Sequence, residues 1–167
     1  MAANGTRQPL RKQAVAAAAG FAGGALLAAA TALVQDFEGM KLDPYRDIAG
    51  RWTVCVGETR AAMRHYSAPE CRELLRRALA SDFAPGVAAA VPAIREHPGA
   101  YAASISLAYN IGLARFGTSS VARQFNAGNW RGGCDAFLAW NRAGGRIFAG
   151  LARRRAAERA LCLSGLR

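Results

Sequence analysis

Two carboxylates and a hydroxyl follow one another along the stretch that begins Asp36-Phe37-Glu38-Gly39: Glu38 itself, Asp47 in a turn-rich run, and Thr53 in a short β-forming run. Two carboxyl groups in different surroundings are what cleavage of a glycosidic bond requires. One must arrive protonated for the leaving oxygen, while the other stays ionised beside a positively charged transition state. Singly, each residue has a plainer reading: Glu38 can cap structure, Asp47 can make a turn, and Thr53 can be an ordinary strand residue. The ordered set gives them chemical weight. The four cysteines, Cys55, Cys71, Cys134 and Cys162, include no C-x-x-C pair, so the sequence calls for no metal and no cofactor. Four separated cysteines allow three disulfide pairings, and spacing alone selects none of them.

The elements that must position these groups can be read from pattern and punctuation. Leu33, Val34 and Phe37 continue a helical apolar face, and Gly39 offers a left-handed stop, which places Glu38 at a helix C-terminus. Pro44 and the turn-rich residues 42–50 precede the β-forming run 51–56, so a small hairpin or sheet is expected around Asp47 and Thr53. Ser67-Ala68-Pro69-Glu70 has the form of a capping box with proline in the first turn, opening a helix that runs to about Phe83. Further helices are expected over 98–111, 118–126, 130–141 and 148–163, separated by glycine-containing turns. The fold class is α+β, mainly helical.

With 167 residues the chain fits one domain plus a short appendage. Its formal charge of +11 is almost all arginine, since Lys12 and Lys41 are the only lysines. Such a field favours polyanions without choosing among nucleic acid, an anionic membrane face and a bacterial wall. A G/C-rich genome explains the arginine equally well.

Residues 13–35 carry no charge, and Arg7, Arg11 and Lys12 stand just before them. A helix of that length can cross a bilayer, and the basic flank keeps the N-terminus in the cytoplasm. The stretch is rich in alanine with Gly20, Gly23 and Gly24, so its hold on lipid is weak. Three readings stay open: a cleaved signal peptide, a permanent anchor, and an anchor that later leaves the membrane. Cleavage after Ala32 would truncate the helix expected to carry Glu38, which favours the releasable anchor. A buried helix of the soluble fold is disfavoured by the lack of a polar face. The chain therefore divides into a signal-anchor segment, 1–34, and a catalytic domain, 35–167.

The stretch from Glu38-Gly39 through Leu42, Tyr45-Arg46-Asp47, Gly50, Thr53, Gly57 and Thr59 resembles the phage-type lysozymes, family 24 of the glycoside hydrolases. Tyr109-Asn110-Ile111-Gly112, Trp140 with Ala143-Gly144-Gly145, and Gly150-Leu151 followed by Arg154-Arg155 and Glu158 extend the likeness over roughly 33–165. Two positions depart from the common pattern: Cys55 stands where glycine is usual and Glu58 where histidine is frequent. Cys55 is shared with the family's membrane-released endolysins, and Glu58 adds a third carboxylate near the site.

The resemblance implies a small β-hairpin lobe facing a larger helical lobe across a glycan cleft. It makes Glu38 the general acid, Asp47 the second carboxylate and Thr53 a group that positions water, with Asn110 lining the cleft. It also implies the disulfides Cys55–Cys71 and Cys134–Cys162. Arg154 and Arg155 could pair with a buried carboxylate or with Glu158, though a solvated basic face suits at least one of them. Trp140 reads as core. The implied partner is the peptidoglycan glycan strand, with no role for nucleic acid. Residues 14–34 would associate transiently with the host inner membrane, and the released protein would act as a monomer in the periplasm. Two rivals remain: a lytic transglycosylase, which needs a single Glu, and a non-enzymatic basic membrane-disrupting protein, which does not explain the ordered Glu, Asp and Thr.

Overall fold

The computed structural model describes residues 23–47 and 50–166. Its first element, α1 (Gly23–Phe37), leads into an antiparallel hairpin of β1 (Lys41–Arg46) and β2 (Trp52–Cys55). Helix α2 (Ala68–Ala78) continues through a π-helical turn, Leu79–Phe83, into α3 (Ala84–Ala90) and a 3-10 turn, Pro92–Glu96. There follow α4 (Pro98–Ile111), α5 (Leu113–Gly117), α6 (Ser120–Asn126) and α7 (Trp130–Ala136). A two-residue-per-strand hairpin of β3 (Arg142–Ala143) and β4 (Arg146–Ile147) then precedes α8 (Ala149–Ser164). This is the α+β arrangement expected, a small hairpin lobe against a helical lobe.

Helix α4 is the axis of the helical lobe. Every residue from Gly99 to Ala108 is buried, so the helix must be covered on all sides, and α8 and α1 supply two of those covers. The close approach of α8 has a visible cause in Gly99, where an added Cβ would lie 2.6 Å from the Leu161 carbonyl oxygen. Phe116, Phe125 and Phe137 fill the distal part of the core. The Cys134–Cys162 disulfide ties α7 to α8, and Cys55–Cys71 ties β2 to α2.

Local signals account for the boundaries that matched. The Ser67 side chain accepts from the Glu70 amide while the Glu70 carboxylate accepts from the Ser67 amide, the reciprocal capping box. Pro98 opens α4 at the expected residue, and α8 lies within a residue of the 148–163 expectation at each end. Other boundaries differ. The helix expected to reach Phe83 changes to π geometry after Ala78, the 130–141 helix ends at Ala136, and 113–117 forms its own short helix. Gly39 adopts no left-handed φ: a bend at Glu38 ends the helix, and Gly39 and Met40 link it to β1.

Residues 1–22 lie outside the described part of the chain, and with them the basic flank and residues 13–22 of the uncharged N-terminal stretch. Among the described residues no helix is long and apolar enough to cross a membrane. What is described of the stretch is α1, whose Ala29, Ala30, Leu33 and Val34 are buried in the domain core. The 34/35 position expected to divide anchor from domain therefore falls within one continuous helix.

Candidate active site

Glu38 follows the last residue of α1, its amide donating to the Val34 carbonyl, so the end of the helix aims the side chain outward. Opposite stands the hairpin. Tyr45 pairs with Thr53 in its register, and the connection from β1 to β2 carries Asp47. Glu38, Asp47, Thr53 and Asn110 all line one cavity of about 650 Å³ between the two lobes. The four sequence-predicted site residues are thus brought together.

Each group is held differently. Arg51 grips Asp47 through its amide, 2.9 Å from Oδ1, and through Nε, 3.2 Å from Oδ2. Thr53 is 2% exposed and donates its hydroxyl proton to the Arg51 carbonyl at 3.0 Å, which leaves its oxygen as an acceptor. Glu38 remains about one third exposed and is contacted from behind by Arg154, whose Nη1 lies 2.5 Å from Glu38 Oε1.

Behind the acid lies a buried ionic cluster. Arg154 Nε lies 3.2 Å from Glu158 Oε1, Arg155 Nη1 lies 3.1 Å from Glu158 Oε2, and Ser106 Oγ donates to Glu158 Oε1 at 2.7 Å. Arg155 Nη2 donates to Asn110 Oδ1 at 2.8 Å, which fixes the orientation of that cleft amide. Neither arginine forms a solvated basic face: they are 2% and 0% exposed. The i, i+3 and i+4 spacing to Glu158 on α8 is the physical reason, since it turns all three toward α4. Burial pushes the Glu158 carboxyl up, against the pull of Arg155 and Arg154. Desolvation pushes the Arg155 guanidinium down to about 10.

Two tyrosines connect the lobes. Tyr109, on α4, donates its hydroxyl proton to the Val56 carbonyl, next to Gly57 with its φ of +85°, and so pins the hairpin's exit. Its phenol is pushed well up by burial and by the charges of Glu38 and Glu58. Tyr45 is raised by burial, then by Asp47 and Glu38. Glu58 lines the same cavity and accepts from the Arg60 amide at 2.7 Å, and Arg60 reaches Asp82 at 2.7 Å across the cavity wall.

Cys55 explains its own departure from the usual pattern. Its φ is +59°, the only positive value among described non-glycine residues, so the position demands the left-handed conformation that glycine adopts freely. Both disulfides pair as the resemblance implied. Trp140 packs partly buried against the core with Arg115 over its ring. Sequence reasoning missed Arg51, Ser106 and Tyr109 as supports of the site. Only Tyr109 had a signal, its place beside Asn110. Among the described residues no cluster of His, Cys, Asp and Glu could hold a metal ion.

The Phage lysozyme family model matches residues 35–158. The chain is similar to the SAR-endolysin of Enterobacteria phage P21, 36% identical over 168 residues that span 94% of this chain and 98% of that protein. It is also similar to the SAR-endolysin of Escherichia phage Mu, 38% identical over 71% of this chain and 69% of that one. Among solved structures, the muramidase domain of SpmX from Asticaccaulis excentricus superposes with a TM-score of 0.71 at 30% identity, covering 81% of this chain and 95% of that one. A P22 lysozyme variant gives 0.69 at 31% identity, covering 80% and 94%.

Proposed function

Because this chain belongs to the phage lysozyme family and is an endolysin that hydrolyses bacterial peptidoglycan, we propose that Glu38, Asp47 and Thr53 cut its glycan strand. The bond is the β-1,4 link between N-acetylmuramic acid and N-acetylglucosamine. One observation carries this reading: a carboxyl from the end of α1 faces a carboxylate and a hydroxyl from the hairpin across a single cavity. A glycan strand lying in that cavity would present its bridging oxygen to Glu38.

Glu38 donates its proton to the leaving oxygen as the bond lengthens. Asp47, gripped by Arg51 on both oxygens, faces the positive charge that develops on the sugar ring. The Thr53 oxygen accepts a hydrogen bond from the water that enters. Asn110, oriented by Arg155, offers its amide N–H to the sugar substituents. The +11 charge concentrates the enzyme at the anionic wall.

Mass spectrometry of the muropeptides released from purified cell walls tests the reaction. Hydrolysis yields reducing ends that carry oxygen from labelled water, whereas a transglycosylase yields anhydro products without it. Anhydro products would remove Asp47 and Thr53 from their assigned roles.

The protein acts from the periplasm after leaving the host inner membrane, where residues 14–34 hold it first. The names of the P21 and Mu relatives support this, as do the uncharged stretch with its basic flank. The burial of Ala29, Ala30, Leu33 and Val34 adds a physical argument, because side chains that leave lipid can be buried again in the domain. With residues 23–34 still in the bilayer, α4 lacks a cover and Glu38 lacks its seat beside Arg154, so the tethered form is inactive. Wall-degrading activity of the membrane fraction equal to that of the released monomer would contradict this.

A further inference from the structure

Glu158 is a carboxylate that the proposed reaction does not use. It is fully buried, yet one guanidinium separates it from the acid: Arg154 Nε lies 3.2 Å from Glu158 Oε1, and Nη1 of the same group lies 2.5 Å from Glu38 Oε1. A guanidinium is planar and rigid, so fixing one edge orients the other. Its remaining nitrogen, Nη2, donates to the Ser106 carbonyl at 3.1 Å. The second oxygen of Glu158 faces Arg155, which in turn holds the Asn110 amide. One carboxylate thus stands behind two groups of the cleft.

The cluster is a poor device for stability alone. Buried ion pairs recover little beyond their desolvation cost, and apolar residues of equal volume often serve as well. Here alignment is also incomplete, since Arg155 Nε, Arg155 Nη1 and Glu158 Oε2 make no aligned hydrogen bond. Its placement is the informative feature. Arg154 and Arg155 together bring two positive charges toward Glu38, and Glu158 cancels one. Without it, both guanidinium charges would stand uncompensated behind Glu38. The other titratable and charged groups lining the cavities at Glu38 are Tyr45, Asp47, Arg51, Glu58 and Arg60 from the hairpin lobe, Asp82 from the π-helical turn, Tyr109 from α4, Asp36 from α1 and Arg153 from α8.

We propose that Glu158 is a positioning residue for the reaction: it fixes the Arg154 and Arg155 guanidinia behind Glu38 and Asn110 and cancels part of their charge, so that the acid and the cleft amide are held in place. This rests on the reading of Glu38 as the acid.

Glu158→Gln retains the size of the side chain and an acceptor for Ser106 while removing the charge. The expected result is a fall in kcat of about tenfold at neutral pH with little change in KM. The alkaline limb of the kcat profile should also move to lower pH by roughly half a unit to one unit. A profile lowered by one factor at every pH, with its alkaline limb unmoved, would overturn the proposal, because lost packing only reduces the active fraction. Should this variant not fold, Ser106→Ala decides. It removes a neutral hydrogen bond to Glu158, and its alkaline limb should move the same way by a smaller amount; an unmoved limb there also overturns the proposal. Glu38→Gln assayed alongside separates the two readings. If it still degrades walls, the acid assignment fails; if it is inactive while the Glu158→Gln limb stays put, only the role of Glu158 fails.

Discussion

The left-handed backbone at Cys55 permits a stability test in which glycine should outperform alanine inside a strand. Consider two variants that both lack the Cys55–Cys71 disulfide, Cys55→Gly/Cys71→Ala and Cys55→Ala/Cys71→Ala. The bridge spans 16 residues, for which loop-closure entropy gives a loss of about 3 kcal/mol common to both. They differ only in the residue that must sit at φ +59°. An L-residue with a Cβ incurs about 1–2 kcal/mol there, whereas glycine incurs none of it but loses about 0.5–1 kcal/mol more conformational entropy on folding. The glycine variant should therefore be the more stable by up to about 1 kcal/mol, the reverse of the order at an ordinary strand position. Urea unfolding at 25 °C, with m-values compared so that a change in the unfolded ensemble is recognised, measures the difference. It corresponds to about 2–4 °C in Tm for a domain of this size. Since Cys55 follows Thr53 by two residues on β2, the glycine variant should also keep more activity. An alanine variant equal to or more stable than the glycine variant would refute the claim that this position demands a left-handed residue.

Three further outcomes follow from the same contacts. Arg154→Met leaves Glu158 with one guanidinium partner and Glu38 with none from α8, so unfolding should become easier by about 3–5 kcal/mol in a urea titration. The wall-degrading rate of the remaining folded protein should fall as well. Leu33→Ala, at a 3% exposed position of α1, should cost about 2–5 kcal/mol by the same measurement, testing whether this helix is integral to the domain core. Glu70 is held down at about 2 by the Ser67 amide and by Arg64, below its ordinary 4.5. Folding lowers that pKa, so the contribution of its charge is complete above 4.5 and disappears as pH falls toward 2. The Tm gap between the native chain and Glu70→Gln should close over that interval.

The parts of the fold set by local chemistry were readable from the residues. Ser67 and Glu70 announced a helix start, Pro98 another, and the β-forming run through Thr53 gave the second strand of the hairpin. Tertiary demands hid the rest. Ala84–Ala90 shows no amphipathic stripe to read, because alanine serves either face, and the π turn before it is a packing accommodation without a sequence marker. The absence of a polar face, taken as a sign of a membrane segment, also suits α1 as a helix packed between α4 and α2. Glu38, Asp47, Thr53 and Asn110 were legible as a set because the order of residue types carries the family likeness. The supports from Arg51, Ser106 and Tyr109 were not, since they come from different elements and their contacts exist only once those elements pack.

The assignment of Glu38 as proton donor is tested most directly by the initial rate at which Glu38→Gln releases reducing-end muropeptides from purified cell walls, at matched concentrations of folded protein. Loss of a general acid predicts a fall of about 10²–10⁴-fold, with disulfides and urea midpoint intact. A rate equal to that of the unaltered chain would contradict the account.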